Sequence, residues 1–282
     1  METSTAGTFY IVATPIGNLK DITQRAIETL EKVDWIACED TRHSQKLLQH
    51  LGIKKPLIAL HDHNEAQQSE VLLDKLQKGE NGALISDAGT PLISDPGYHL
   101  VKLLRQQQVT VTPIPGASAI ITALSAAGLP TDRFTFEGFL PAKQQKRLQV
   151  LESLMDEPRT MVFYESPHRL MDSLQALVTV MGEGRELVVA RELTKQFEAF
   201  VTGTTQTALD YFTERPSKIR GEFVLILAGA QPCEEATPQE WDELIGLMLE
   251  EGMPVKQIAS LVAKYFGVKK NAVYARVLSL KL

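Results

Sequence analysis

The chain has 282 residues, 29 of them Lys or Arg and 35 Asp or Glu, for a formal net charge of −6. A hydrophobic fraction of 44% with 23% charged residues excludes a disordered chain, and the length predicts two domains and an appendage. Two cysteines, Cys38 and Cys233, exclude a disulfide scaffold and a cysteine zinc site. The polar start, METSTAGTFY, and the lack of a long apolar run predict no signal peptide and no membrane span, hence a cytoplasmic protein.

Short apolar runs at 9–13, 35–38, 57–60, 83–85 and 109–113 read as strands. Helical periodicity fills 22–33, 44–51, 66–78, 98–107 and 117–127. This alternation predicts an α/β domain with a largely parallel sheet covered on both faces. Gly128-Leu129-Pro130 breaks the pattern. Strands at 134–139, 160–164, 187–190, 198–201 and 222–227, with helices at 146–155, 168–180 and 205–212, predict a second α/β layer with a mixed sheet. The segment 230–239 (AQPCEEATPQ) reads as a linker. Helices at 239–251, 255–266 and 271–280, broken at Gly252-Met253-Pro254 and Gly267, make a small bundle with a helix-turn-helix pattern. The expected domains are 1–128, 129–232 and 233–282.

The acidic total hides a distribution. Residues 234–251 hold Glu234, Glu235, Glu240, Asp242, Glu243, Glu250 and Glu251 and no base. Residues 252–282 hold Lys256, Lys264, Lys269, Lys270, Arg276 and Lys281 and no acid. Such asymmetry predicts a polyanion-binding surface; the alternative is a solvated helical face.

The segment SDAGTPLISDPG (86–97) follows a strand and precedes a helix, where ligands bind in open α/β sheets. Gly89 permits close backbone approach, and Pro91 and Pro96 stiffen the loop. Without GxGxxG or a Gly-Lys-Ser/Thr loop, a nucleotide triphosphate or dinucleotide is disfavoured, and an adenosyl cofactor such as S-adenosylmethionine remains. Pro115-Gly116-Ala117-Ser118-Ala119 and the loop 13–19 also follow predicted strands, so the three loops can converge. Backbone N–H groups at a helix start suit a carboxylate.

The motifs ATPIGNLKDIT (13–23), EDTRHSQKLL (39–48), HDHNE (61–65), SDAGTPLISDPG (86–97), PGASA (115–119), YESPHR (164–169), RELTKQFE (191–198) and GEFVLILAG (221–229) resemble the ribosomal RNA small subunit methyltransferase I family, within the tetrapyrrole methylase superfamily. The resemblance runs from about residue 8 to the C-terminus. It implies a class III methyltransferase fold: two α/β domains with a cofactor cleft between them, plus a small C-terminal helical domain. It implies S-adenosylmethionine as cofactor, a homodimer, and 2′-O-methylation of a cytidine ribose in the decoding region of 16S rRNA within the small ribosomal subunit. Its cofactor contacts fall on Pro15, Asp87, Ala88, Gly89, Thr90, Ile93, Ser118, Ala119, Tyr164, Glu165, Glu222 and Phe223. Porphyrin-modifying relatives carry Asp where this chain has Thr90, and Gly-Pro-Gly-Asp where it has Thr-Pro-Ile-Gly-Asn, which loosens transfer of their substrate.

Methyl transfer to a hydroxyl needs alignment and a base. The candidates are Glu39, Asp40, His61, His63, Glu165 and, if a buried site deprotonates it, Lys195. Arg42, Arg169 and Arg191 are candidates for RNA phosphates, with Lys256, Lys264, Lys269, Lys270 and Arg276 on the tail. Plainer roles stand beside these. Asp40, Arg42 and His168 can cap helices, Glu192–Lys195 can be a weak surface pair, and Trp35 and Trp241 can be core. Two other functions stay open: a tetrapyrrole-precursor methylase, and a non-enzymatic cofactor-sensing regulator that binds nucleic acid.

Overall fold

The computed structural model describes residues 6–61, 63–231 and 238–281. The chain divides into two compact units, Met1–Gly229 and Ala230–Leu282. Both predicted sheets lie in the first unit.

The first sheet takes β1 (Phe9–Val12), β2 (Trp35–Cys38), β3 (Leu57–Ala59), β4 (Gly82–Ile85) and β5 (Val111–Ile114) in the order β3-β2-β4-β1-β5, all parallel. Its strands alternate between two cores, as period-2 side chains must. Phe9, Trp35, Ala37 and Leu84 pack with α3 (Glu65–Gln77) and α4 (Tyr98–Gln106). Val12, Ile36, Cys38, Ala83 and Ile85 pack with α1 (Gln24–Lys32) and α2 (Thr41–His50). Each fully buried Leu, Ile or Phe here contributes about 1.5–3 kcal/mol of burial energy. Trp35 decides a neighbour: a Cβ on Gly82 would lie 2.2 Å from its ring. β5 starts two residues later than predicted. Gln108 is left-handed (φ 58), and the Val109 N–H closes the end of α4 on the Leu104 carbonyl, so neither residue is free to extend.

The second sheet takes β6 (Phe134–Phe139), β7 (Thr160–Glu165), β8 (Glu186–Arg191), β9 (Ala199–Thr204) and β10 (Phe223–Leu227) in the order β6-β7-β10-β8-β9. Only β6–β7 is parallel, so the sheet is mixed as expected. One face carries α6 (Gln144–Ser153), α7 (Leu170–Met181) and α8 (Thr205–Glu214) over Phe163, Leu187 and Leu225. The other face, with Val162, Val188, Val224 and Ile226, is covered by α5 (Ala119–Ala127) arriving from the first sheet. This shared core joins the two halves.

The second unit packs α9 (Pro238–Glu250), α10 (Val255–Phe266) and α11 (Lys270–Leu280) around Ile245, Ile258, Val262, Val273 and Val277. Gly267, left-handed at φ 68, ends α10 as a C-cap. Residues 232–237 of the predicted linker, with Cys233, Glu234 and Glu235, lie outside the described residues. Trp35 is core, and Trp241 packs on the bundle core.

Candidate active site

Neighbouring strands β1 and β4 send their chains to opposite faces, to α1 and α4, so their C-terminal ends open a crevice. Three loops line it and are bonded to one another. Thr14 and Gly89 exchange backbone hydrogen bonds (2.8 and 3.1 Å). The Thr14 hydroxyl donates to the Ser86 carbonyl at 3.1 Å, and the Thr90 hydroxyl donates to the Ala117 carbonyl at 3.0 Å. Gly89 has φ +83, and a Cβ there would meet Ile16 at 3.3 Å. The same loop holds Leu92 and Ser94 left-handed (φ 73 and 67), a strain of the kind concentrated at functional sites.

A cavity of about 370 Å³ lies between these loops and the second sheet. That is the size of a small-molecule site. The first half contributes Ile16, Asp87, Ala88, Gly89, Thr90, Ile93, Ser94, Asp95, Ser118 and Ala119; the second contributes Phe139, Tyr164, Glu165, Ser166, Pro167, Gly221, Glu222, Phe223 and Val224. Every expected cofactor residue lines it except Pro15, whose place is taken by Ile16. A bulge at Phe136/Gly138 redirects β6 and leaves Phe139 half exposed beside Tyr164, with ring centroids 5.6 Å apart.

Helix starts differ in how they are satisfied. Thr23 caps α1, Asp40 caps α2, Thr204 caps α8, and the Glu65 carboxylate accepts from His99 and Leu100 at the start of α4. The N-cap of α5, Ser118, makes no such bond, and it faces the cavity. The first N–H groups of α5 are therefore available to an anion there.

The carboxyl groups are not equivalent. Burial, with the Glu39 and Asp87 carboxylates adding and the nearby Ser86 hydroxyl opposing, pushes Asp95 up to about 6. Burial, with Asp95 and Glu222 adding, pushes the Tyr164 phenol up to about 12. Glu165 is fully committed: it accepts from the Ser166 N–H (2.7 Å) and the Ser173 hydroxyl and pairs with Arg169 at 3.2 Å.

The other candidates separate. Asp40 does cap a helix, and the Arg42 and His43 N–H groups hold its carboxyl below the usual range. Glu39 is exposed at the end of β2. His61 and His63 lie outside the cavity lining, their rings 6.1 Å apart; the His61 N–H donates to the Asn64 side-chain oxygen at 2.9 Å. Lys195 is not deprotonated by its site. Burial lowers it, but Glu192 and Glu222, each at 2.8 Å, outweigh burial and hold the ammonium above its ordinary range. Glu192–Lys195 is a half-buried pair, and Glu222, itself exposed, joins it. His168 caps nothing: it is exposed, and α7 starts two residues later.

Among the basic candidates, Arg169 reaches the Leu140 carbonyl and covers the Phe139 ring at 5.4 Å. Arg191 is bonded to the Arg220 and Phe197 carbonyls. Arg42 is exposed. On the second unit, Lys256, Lys264, Lys269 and Lys270 are exposed, whereas Arg276 is tied to Asp242 at 2.8 Å.

Residues 8–209 match the Tetrapyrrole (Corrin/Porphyrin) Methylases, and residues 235–281 match the RsmI C-terminal HTH domain. The chain is 55% identical over 268 residues to Ribosomal RNA small subunit methyltransferase I of Escherichia coli O157:H7, covering 95% of this chain and 93% of that one.

The chain belongs to the ribosomal RNA small subunit methyltransferase I family.

The relative of that name from Haemophilus influenzae is 52% identical over 275 residues, covering 96% of both chains. Two solved structures show the fold this chain shares. A cobalt precorrin-4 methyltransferase covers 78% of this chain (94% of its own) at TM-score 0.58 and 18% identity. A diphthine synthase covers 79% (90% of its own) at TM-score 0.58 and 14% identity. As a member of the ribosomal RNA small subunit methyltransferase I family, this chain is an S-adenosylmethionine-dependent methyltransferase. The cavity fits that cofactor chemically, with free helix N–H groups for a carboxylate, acidic side chains for cationic centres, and Ile16, Ile93 and Phe139 for an apolar ring. No described helix is long and apolar enough to cross a membrane. Sequence reasoning did not single out Asp95, Ile16 or Phe139. Asp95 carried a signal all the same, as the second acid of a twelve-residue loop too long for a plain connection.

Proposed function

We propose that this enzyme methylates the 2′-oxygen of a cytidine ribose in the decoding region of 16S rRNA, acting as a homodimer on the assembled small subunit. What supports this reading is the extent of the family match. Relatives named for ribosomal RNA match about 95% of the chain, including the helical unit that carries the basic run, whereas the small-molecule methylases cover about 79%. The basic lysines of the second unit suit an RNA backbone, and a body of acidic total charge suits a shaped target more than non-specific binding.

When bound, S-adenosylmethionine supplies a methyl group already activated on a sulfonium. The chain's own residues then orient, shield and move a proton. The first N–H groups of α5 would hold the cofactor carboxylate, and the Asp87 carboxylate would suit its cationic centres. Ile16, Ile93 and Phe139 exclude water. Arg169 keeps Phe139 in place at the cavity edge. The bonds between the three loops keep this geometry fixed, which is where most of the rate advantage of an in-line transfer lies.

The test is incubation with labelled S-adenosylmethionine and small subunits that lack the modification. Label should appear in a ribose-methylated cytidine after nuclease digestion. Label in a porphyrinoid and none in RNA, or tight cofactor binding with no labelled product, would replace this reading with one of the two others.

A further inference from the structure

We infer that Asp95 is the catalytic base that accepts the proton of the hydroxyl being methylated. The inference rests on the methyltransferase reading above. Five ionisable side chains line the cavity: Asp87, Asp95, Tyr164, Glu165 and Glu222. Three are already engaged or protonated. Glu165 is held by Ser166, Ser173 and Arg169. Glu222 is held by the Lys195 ammonium. Tyr164 keeps its proton up to about pH 12.

Asp87 and Asp95 remain, on one loop, and their surroundings divide the work. The Asp87 carboxylate accepts the Asp40 N–H at 3.4 Å, so it is tied to the start of α2. Asp95 is half-buried on the cavity wall, and the charged or ionisable groups that act on it are Glu39 at the end of β2, Asp87 on its own loop and Tyr164 from β7; the nearby Ser86 hydroxyl donates to the Ala88 and Gly89 carbonyls. No lysine or arginine among the described residues forms an ion pair with Asp95. A half-buried carboxyl group with other carboxylates near it and no cation paired to it ionises with difficulty, which suits it to exchange protons near neutrality. The value of about 6 for Asp95 leaves it mostly ionised at pH 7 yet basic enough to take a proton. Ser94 before it is left-handed, and Pro96 follows it.

The step balances. The ribose oxygen forms the bond to the methyl carbon, and the methyl–sulfur bond breaks with its electron pair left on sulfur. The hydroxyl proton passes to the Asp95 carboxylate and is later lost to water.

The experiment measures single-turnover transfer to small subunits against pH, and cofactor affinity by calorimetry, for the wild type, Asp95→Asn and Asp95→Glu. The wild-type rate should fall below about pH 6. Asp95→Asn should slow transfer at pH 7.5 by about 100-fold or more, keep cofactor affinity within about threefold and lose that acidic limb. Asp95→Glu should recover part of the rate. Asp95→Asn that transfers nearly as fast as wild type, or keeps the acidic limb, overturns the inference. So does a loss of cofactor affinity beyond about tenfold, which makes Asp95 a cofactor ligand. If the wild type labels no RNA, the substrate reading and this inference fall together; if only the variant results disagree, the inference falls alone.

Discussion

Gly17 leaves the space that the stem of Lys195 fills: a Cβ at Gly17 would lie 2.5 Å from Lys195 Cγ. The lysine crosses from the second half of the first unit to the loop after β1, and its ammonium bridges Glu192 and Glu222 at the cavity edge. We expect Lys195→Met to cost about 1 kcal/mol at pH 7 after allowance for solvent screening. The pH window follows from both partners. Burial raises Glu192, but the Lys195 bond, the Glu222 N–H and the charges of Lys195 and Arg191 together outweigh it and its carboxyl is lowered; Lys195 is raised. Folded-state depression of Glu192 stabilises above its ordinary 4.5 and is lost as pH falls through the lowered value. Elevation of Lys195 stabilises below its ordinary 10.5 and is lost as pH rises through the raised value. Urea midpoints should therefore differ between wild type and variant at pH 6–9 and converge at strongly acidic pH.

Gly89→Val places a branched side chain at φ +83 and against Ile16. The strain is about 1–3 kcal/mol, and the loop must shift away from the cavity. Calorimetry should show cofactor affinity at least tenfold weaker. Unchanged affinity would remove this loop from the cofactor site.

Glu165→Gln leaves Arg169 without its anion and sets an amide where three donors converge. Because Arg169 is partly exposed, the cost should be about 2 kcal/mol, below that of breaking a fully buried pair. Thermal unfolding reads it directly. A variant as stable as wild type would free Glu165 for a chemical role.

Lys269 and Lys270 are exposed at the start of α11, and Arg276 is occupied by Asp242. Replacing both lysines by alanine should weaken subunit binding and flatten its salt dependence by about 0.7–0.9 in log–log slope for each phosphate no longer neutralised. Arg276→Ala should leave that slope unchanged. Cofactor affinity should stay at the wild-type value in these variants, since none of these residues lines the cavity.

Much of the fold was legible because its signals are local. Strands covered on both faces read as unbroken apolar runs, and the helices between them keep their period. The differences arise where one residue serves two elements. Asp40 starts α2 earlier than periodicity alone places it, and Val109 ends α4 instead of starting β5. The cofactor loops were legible from glycine and proline placement after strands. The base was not. Glu39, Asp40, His61, Glu165 and Lys195 are all plausible by residue type, and only their partners distinguish them.

The net charge of −6 and the segregated basic run are properties of composition and order, as are the strand–helix alternation and the converging loops. They determine an α/β body with a ligand crevice and a basic helical tail. Tertiary structure decided which carboxyl groups are engaged. Partners and desolvation come only with folding, so burial pushes the Asp95 carboxyl up while Glu165 and Glu222 pair with Arg169 and Lys195, although the same two residue types recur along the chain.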